Sequence, residues 1–378
     1  MIRYFFLLIF LVGLVALSKA QVTKADYYNI IDNKVFTFSK EKPDAPFDTI
    51  TTFVNTTFES QEDRARAYYT WIALNISYDV GHMDELNLLK TFNVNTLSSY
   101  DQKSADVLKN KKAVCEGYSN LMVDFCSSSS IPCFLVCGYT KTPGGDIPEI
   151  LHAWNVLRID SAWVMLDITW SSGYVNPANK YVKRFSNLYF LPKPKNFIKD
   201  HMPLDPMWQL LKNPFTKKDF EQDSLLVSHT PVFNFPDSIK AYRAYPLKQR
   251  QHIDFLHYYR AEPDNKMFAR NLDVINNNLI ADNLNIGISY QSDFVDIATK
   301  KLSKKPTMTD YKKAKAILDT VQSYNKKALT LLTNTKAHTA EYELIFTTMQ
   351  KTISENNKII LTNYDYLKQL RAFLLNKK

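Results

Sequence analysis

Three residue types in order along this sequence can do chemistry together: Cys115, His152 and Asp167. A cysteine attacks only as its thiolate, and it needs a base to take the proton and a third group to orient that base. Tyr118, Leu121, Met122, Phe125 and Cys126 recur at helical spacing after Cys115, which predicts a buried helix that begins at the cysteine. There, unpaired backbone N–H groups and the positive dipole end favour a thiolate and can hold a developing oxyanion. Most buried cysteines are only small core residues. What faces this one therefore decides its role.

His152 and Asp167 fall in a predicted hairpin, with strands Leu151 to Ile159 and Ala162 to Thr169 turned at Asp160-Ser161. A two-residue loop pairs Trp154 with Asp167 and His152 with Thr169. His152 and Asp167 become diagonal neighbours on one face, with Cβ atoms roughly 6–8 Å apart. A carboxylate there can accept from one imidazole nitrogen and leave the other for Cys115. That is the nucleophile, base and orienting acid of acyl transfer through a thiol. Val156 and Trp163 share the face of His152, while Ala153 and Val164 lie on the other. Strands apolar on both faces are buried on both sides, where a bare carboxylate is costly.

The surrounding elements can be read more coarsely. Ser60 to Ile76 has helical periodicity, with Ser60 and Asp63 as a cap. Residues 102 to 112 are a loop or short helix, and Ile131 to Tyr139 is a strand. Residues 21 to 60 mix short apolar runs with turn formers and predict no firm element.

The stretches Tyr69-Thr70-Trp71-Ile72-Ala73-Leu74-Asn75-Ile76-Ser77-Tyr78-Asp79, Ala113-Val114-Cys115-Glu116-Gly117-Tyr118-Ser119, His152-Ala153-Trp154-Asn155-Val156 and Asp167-Ile168-Thr169-Trp170 resemble the core motifs of bacterial transglutaminase-like proteins. The resemblance is ordered and spans roughly residues 60 to 172. It implies a papain-like thiol fold, in a family of transglutaminases, peptidases, peptide amidases and members without known activity. It also implies Cys115, His152 and Asp167 as the functional triad, and offers Tyr78 and Trp71 as oxyanion side chains. More weakly, Tyr189-Phe190-Leu191 and His201 to Leu211 resemble a segment that follows the core in such proteins. His201, in its proline-rich setting, reads as a packing residue.

The expected fold is α+β: a papain/transglutaminase-like core with the cysteine helix on an antiparallel sheet, then an all-α domain. Residues 1 to 20 run from Arg3 through the apolar stretch Tyr4 to Leu17 to Ser18-Lys19-Ala20, the build of a signal peptide. Residues 21 to 172 form the catalytic domain, 173 to 245 a proline-rich extended segment packing on it, and 246 to 378 the helical domain. Export to the periplasm or the extracellular space follows, with no stable membrane insertion after cleavage.

The formal charge of +9 falls to +7 once Arg3 and Lys19 are removed with no acid. Residues 300 to 378 hold 16 Lys or Arg against 6 Asp or Glu, scattered over helical periods as a solvated face. Nucleic acid is not an expected partner. No cofactor is expected. Four cysteines without paired C-x-x-C spacing give no metal site. Helix and strand spacings exclude Cys115–Cys126 and Cys133–Cys137 bridges; with Cys115 kept free for chemistry, only Cys126 with Cys133 or Cys137 can form a disulfide, and buried thiols are the equal alternative. The expected function is thiol chemistry on amide bonds of a protein or peptide, by hydrolysis or transfer to an amine. The competing expectation is a non-catalytic scaffold whose helical domain recognises a protein partner.

Overall fold

A computed structural model describes residues 23–91, 102–225 and 227–376, with backbone alone for 86–91. The predicted signal peptide, 1–20, lies outside these residues. The segment expected to lack firm structure forms two helices, α1 (Lys24–Glu41) and α2 (Phe47–Thr57). The residues that read as turn formers do other work. Thr23 and Asp26 close a capping box at the start of α1, and Asp32, in its middle, receives a buried arginine.

That arginine, Arg66, sits on α3 (Gln61–Asn75), which starts where Ser60 accepts the Asp63 N–H at 3.0 Å. Every residue of α3 from Ala65 to Ala73 is buried. Arg66 donates through Nε and Nη2 to Asp32 at 2.8 and 2.6 Å. Its guanidinium stands 4.8–5.3 Å from the ring centres of Phe190, Tyr28, Tyr69 and Phe185. A cation in the core is thus both paired and caged, which ties α1 and residues 185–190 to α3.

The chain continues through β1 (Ser77–Tyr78), α4 (Val80–Thr91), α5 (Ser104–Asn110) and β2 (Lys112–Ala113), which pairs parallel with β1. Lys111, at φ 52°, turns out of α5 in the left-handed region. Next comes α6 (Cys115–Ser128), which opens at the cysteine as its periodicity predicts. The main sheet holds β3 (Cys133–Thr140), β4 (His152–Ile159) and β5 (Ala162–Leu166). Its order is β5-β4-β3-β8, all antiparallel.

The hairpin has the expected register, with Asn155 opposite Leu166 and Ile159 opposite Ala162. Asp160 takes the positive φ, 52°, that the tight turn requires. The second strand is shorter than predicted. It stops at Leu166, because the Asp167 side chain accepts the Trp170 N–H at 3.2 Å and starts a one-turn helix, α7 (Ile168–Ser172).

Beyond it lie β6 (Gly173–Val175), β7 (Tyr181–Lys183), α8 (Pro194–Phe197) and β8 (His201–Pro203). A 3-10 turn over Pro206–Gln209 and α9 (Lys217–Glu221) follow. These short pieces suit a proline-studded stretch. Two compact units result among the described residues: one extends to Pro203 and includes Trp208–Val232, the other comprises Leu204–Met207 and residues from Phe233 onward. The second unit is helical: α10 (Phe235–Arg243), α11 (Leu247–Ala261), α12 (Lys266–Ile297), α13 (Met308–Thr333) and α14 (Ala340–Asn376). Ala314, Leu318 and Val321 bury against Ile360, Leu367 and Leu370. Buried Asp273 receives the N–H groups of His338 and Thr339 at 2.9–3.0 Å and closes the turn into α14. Among the described residues no helix is long and apolar enough to cross a membrane.

Gly138 on β3 sets how closely β8 can approach. A Cβ there would fall 2.2 Å from the Met202 carbonyl oxygen and 2.5 Å from the Trp154 ring. Gly138→Ala is therefore expected to destabilise the first unit by about 2 kcal/mol or more, read as a lowered urea midpoint.

Candidate thiol site

α6 begins without a side-chain cap, since Val114 holds the N-cap position and can offer none. Cys115, 8% exposed, therefore occupies the first turn of a helix whose N–H groups point at the sulfur's surroundings. Two contacts fix that helix start. Gln102 Oε1 accepts the Val114 N–H at 2.9 Å, and a Cβ on Gly117 would stand 2.5 Å from the same oxygen and 2.7 Å from Ala113 Cβ. The glycine two residues after the cysteine thus admits the chain that braces it. Farther along, the Tyr118 hydroxyl donates to the Ile76 carbonyl at 2.9 Å, and Asn155 Nδ2 donates to the Ser119 carbonyl at 3.0 Å. The second of these locks β4 onto α6.

His152, the first residue of β4, meets Asp167 through Nε2 at 2.9 Å from Oδ2. With Nε2 taken by Asp167, Nδ1 is the ring nitrogen left for Cys115, whose charge acts on the imidazole. Burial works against charge on His152, but Asp167 and negative charge on Cys115 outweigh it and hold the imidazole up to about 10. Burial likewise pushes Asp167 up, and His152 and His201 override it and keep the carboxyl well below its usual range. The three residues singled out in the sequence are thus brought together, with Asp167 fully buried behind His152.

His201 joins them, contrary to its reading as a packing residue. It is fully buried and its Nε2 lies 3.1 Å from Asp167 Oδ2. Its Nδ1 lies 2.7 Å from Asp200 Oδ1, whose other oxygen accepts the Tyr189 hydroxyl at 2.8 Å. The ring does pack, stacked on Phe197 with centroids 4.1 Å apart. Its nitrogens, however, are spent on carboxylates. The sequence signal available was the adjacent pair Asp200-His201 in a short β-compatible run; what hid it was that β8 reaches the site only by pairing with β3, far away in the chain.

The donor atoms of His152, Asp167 and His201 lie within 4.8 Å of one another, a grouping that can hold a metal. Spacings of 2.9 and 3.1 Å around one carboxylate oxygen are direct hydrogen bonds. A tetrahedral zinc, about 2.0–2.2 Å from each ligand, would hold them roughly 3.4 Å apart. Trp71, offered as an oxyanion donor, is fully buried in the core against Phe125, which removes it from any substrate. Tyr78 is partly buried beside Tyr181. All four cysteines are thiols, and burial, with Cys126 beside it, pushes the Cys133 thiol well up.

A cysteine at a helix start, a histidine opening a strand and an aspartate behind it, on a helix-backed antiparallel sheet, make up the candidate thiol site. The chain carries a domain of the transglutaminase-like superfamily, matched over residues 49–168. Among curated proteins it is similar to human "Kyphoscoliosis peptidase", 33% identical over 167 residues, covering 43% of this chain and 24% of that one. It is similar as well to "Lim and transglutaminase domain protein ltd-1" of Caenorhabditis elegans, 25% identical over 226 residues, 54% of this chain and 29% of the relative. The match therefore spans less than a third of either relative's length. Both are animal proteins; what they share with this chain is the domain, not a bacterial setting. A solved transglutaminase ("TGase") overlaps 48% of this chain and 41% of its own at 18% identity with a TM-score of 0.25.

A histidine held up to about 10 against roughly 6.5 unfolded binds its proton more tightly in the folded state. Its contribution is complete below about pH 6.5 and is lost as pH rises toward 10. The urea midpoint of the first unit is expected to fall across that window in the wild type and to stay flatter in His152→Gln.

Proposed function

We propose that the chain is a thiol enzyme acting on amide bonds of proteins or peptides through an acyl-enzyme on Cys115. The observation that carries this reading is the buried His152 ring, held by Asp167 through Nε2 at 2.9 Å and carrying Nδ1 free to serve Cys115, whose charge acts on it. In this scheme the Cys115 sulfur attacks the amide carbonyl, a C–S bond forms and the carbonyl oxygen takes the negative charge. The Cys115 N–H and its first-turn neighbours on α6 are placed to receive that oxygen. His152 gives its proton to the departing nitrogen, the C–N bond breaks, and a thioester remains. Water or an amine then attacks the thioester while His152 takes back a proton, and the sulfur leaves. Asp167 holds the ring in the orientation both transfers need. A relative named as a peptidase favours water as the acceptor. The same proposal takes the amino-terminal segment as a signal peptide and the chemistry as occurring outside the cytoplasm.

The test needs no substrate. Alkylation of Cys115 by iodoacetamide, followed by peptide mass spectrometry, is expected to stay fast well below the ordinary thiol pKa of about 8.5 and to lose that reactivity in His152→Ala. Equal, ordinary reactivity in both proteins would contradict the proposal.

A further inference from the structure

Resting on that reading of the site, His201 stands out as a buried titratable group to which the reaction gives no part. Asp167 Oδ2 receives two imidazoles, His152 at 2.9 Å and His201 at 3.1 Å. The two ring centres are 5.7 Å apart. An ionised carboxylate only accepts, so His201 Nε2 donates to it. The position of His201 is fixed from behind and from the sides. Asp200 holds Nδ1 and is itself held by the Tyr189 hydroxyl, while Phe197 and Trp170 close on the ring at 4.1 and 4.6 Å. Both nitrogens of this buried ring are thus spent on carboxylates, one of them the carboxylate that also holds His152.

We propose that His201 is a positioning residue: as a second donor on the oxygen that orients His152, it pins the Asp167 carboxylate and draws off part of its charge, and so sets how tightly His152 keeps its proton. An oxygen that serves two donors offers less to each. Asp167 has a further anchor in the Trp170 N–H on Oδ1 at 3.2 Å, so loss of His201 leaves it in place but gives Oδ2 wholly to His152. The titratable groups facing His152 are Asp167, Cys115 and His201; those facing His201 are Asp167, Asp200, His152 at 5.7 Å and Tyr189 at 5.2 Å between ring centres.

The experiment follows His152 by NMR in the full chain with 13C-labelled histidine. A Cys115→Ser background removes the sulfur's charge and lowers the titration into an accessible range. His201→Phe is expected to move the His152 midpoint upward by about one unit. His201→Gln, whose amide restores a neutral donor, is expected to move it less. Asp200→Asn, altering a part-exposed side chain that holds His201, is expected to shift it upward and covers the case in which His201→Phe does not fold. A merely structural role would lower the unfolding midpoint in these variants and leave the His152 titration where it was. An unmoved or lowered midpoint in folded His201→Phe, or otherwise in both milder variants, overturns the proposal. Cys115 alkylation in the otherwise wild-type chain separates the two failures. An ordinary Cys115 thiol sinks the thiol-enzyme reading itself, whereas a reactive one beside an unmoved His152 sinks only the role of His201.

Discussion

The site depends on one interaction, the buried carboxylate of Asp167 with the imidazole of His152. A carboxylate removed from water is expensive unless donors replace the water. This one has three: His152 and His201 on Oδ2, and the Trp170 N–H on Oδ1. Each comes from a different element. β4 supplies His152, β8 supplies His201, and α7 begins at Asp167 itself. All three donors are in place only when the sheet has its full order and α7 is capped, so the packing that completes the fold also completes the site.

Local periodicity made much of this legible. The stripe from Tyr118 to Cys126 places Cys115 at a helix start, and the Asp160-Ser161 turn fixes the register that brings His152 and Asp167 together. The end of the second strand was not legible, because Ile168-Thr169-Trp170 is as β-compatible as any strand. Only the side chain of Asp167, folding back as a cap, ends it. The first two helices were hidden for a related reason. Asp26 and Asp32 look like turn formers, but one caps α1 and the other answers Arg66, a partner 34 residues away. Nor could His201 be placed, since nothing local tells a three-residue strand which neighbour it will join.

The helical unit poses a different question. Its own interior is well formed, with α13 and α14 burying a continuous apolar seam and Asp273 gathering the turn between them. That half of the chain lies beyond the matched superfamily domain. The chemistry proposed for Cys115 is thus an argument about the first unit. Its groups, from the α6 N-terminus to Asp200, belong to that unit alone.

The central claim is that Cys115 carries the acyl group. Incubating the protein with an activated acyl ester and mapping adducts by peptide mass spectrometry tests it most directly. A thioester on Cys115 that hydroxylamine removes, and that fails to form in His152→Ala, is the predicted result. Acylation spread over other nucleophiles, or on Cys115 to the same extent in both proteins, would contradict it.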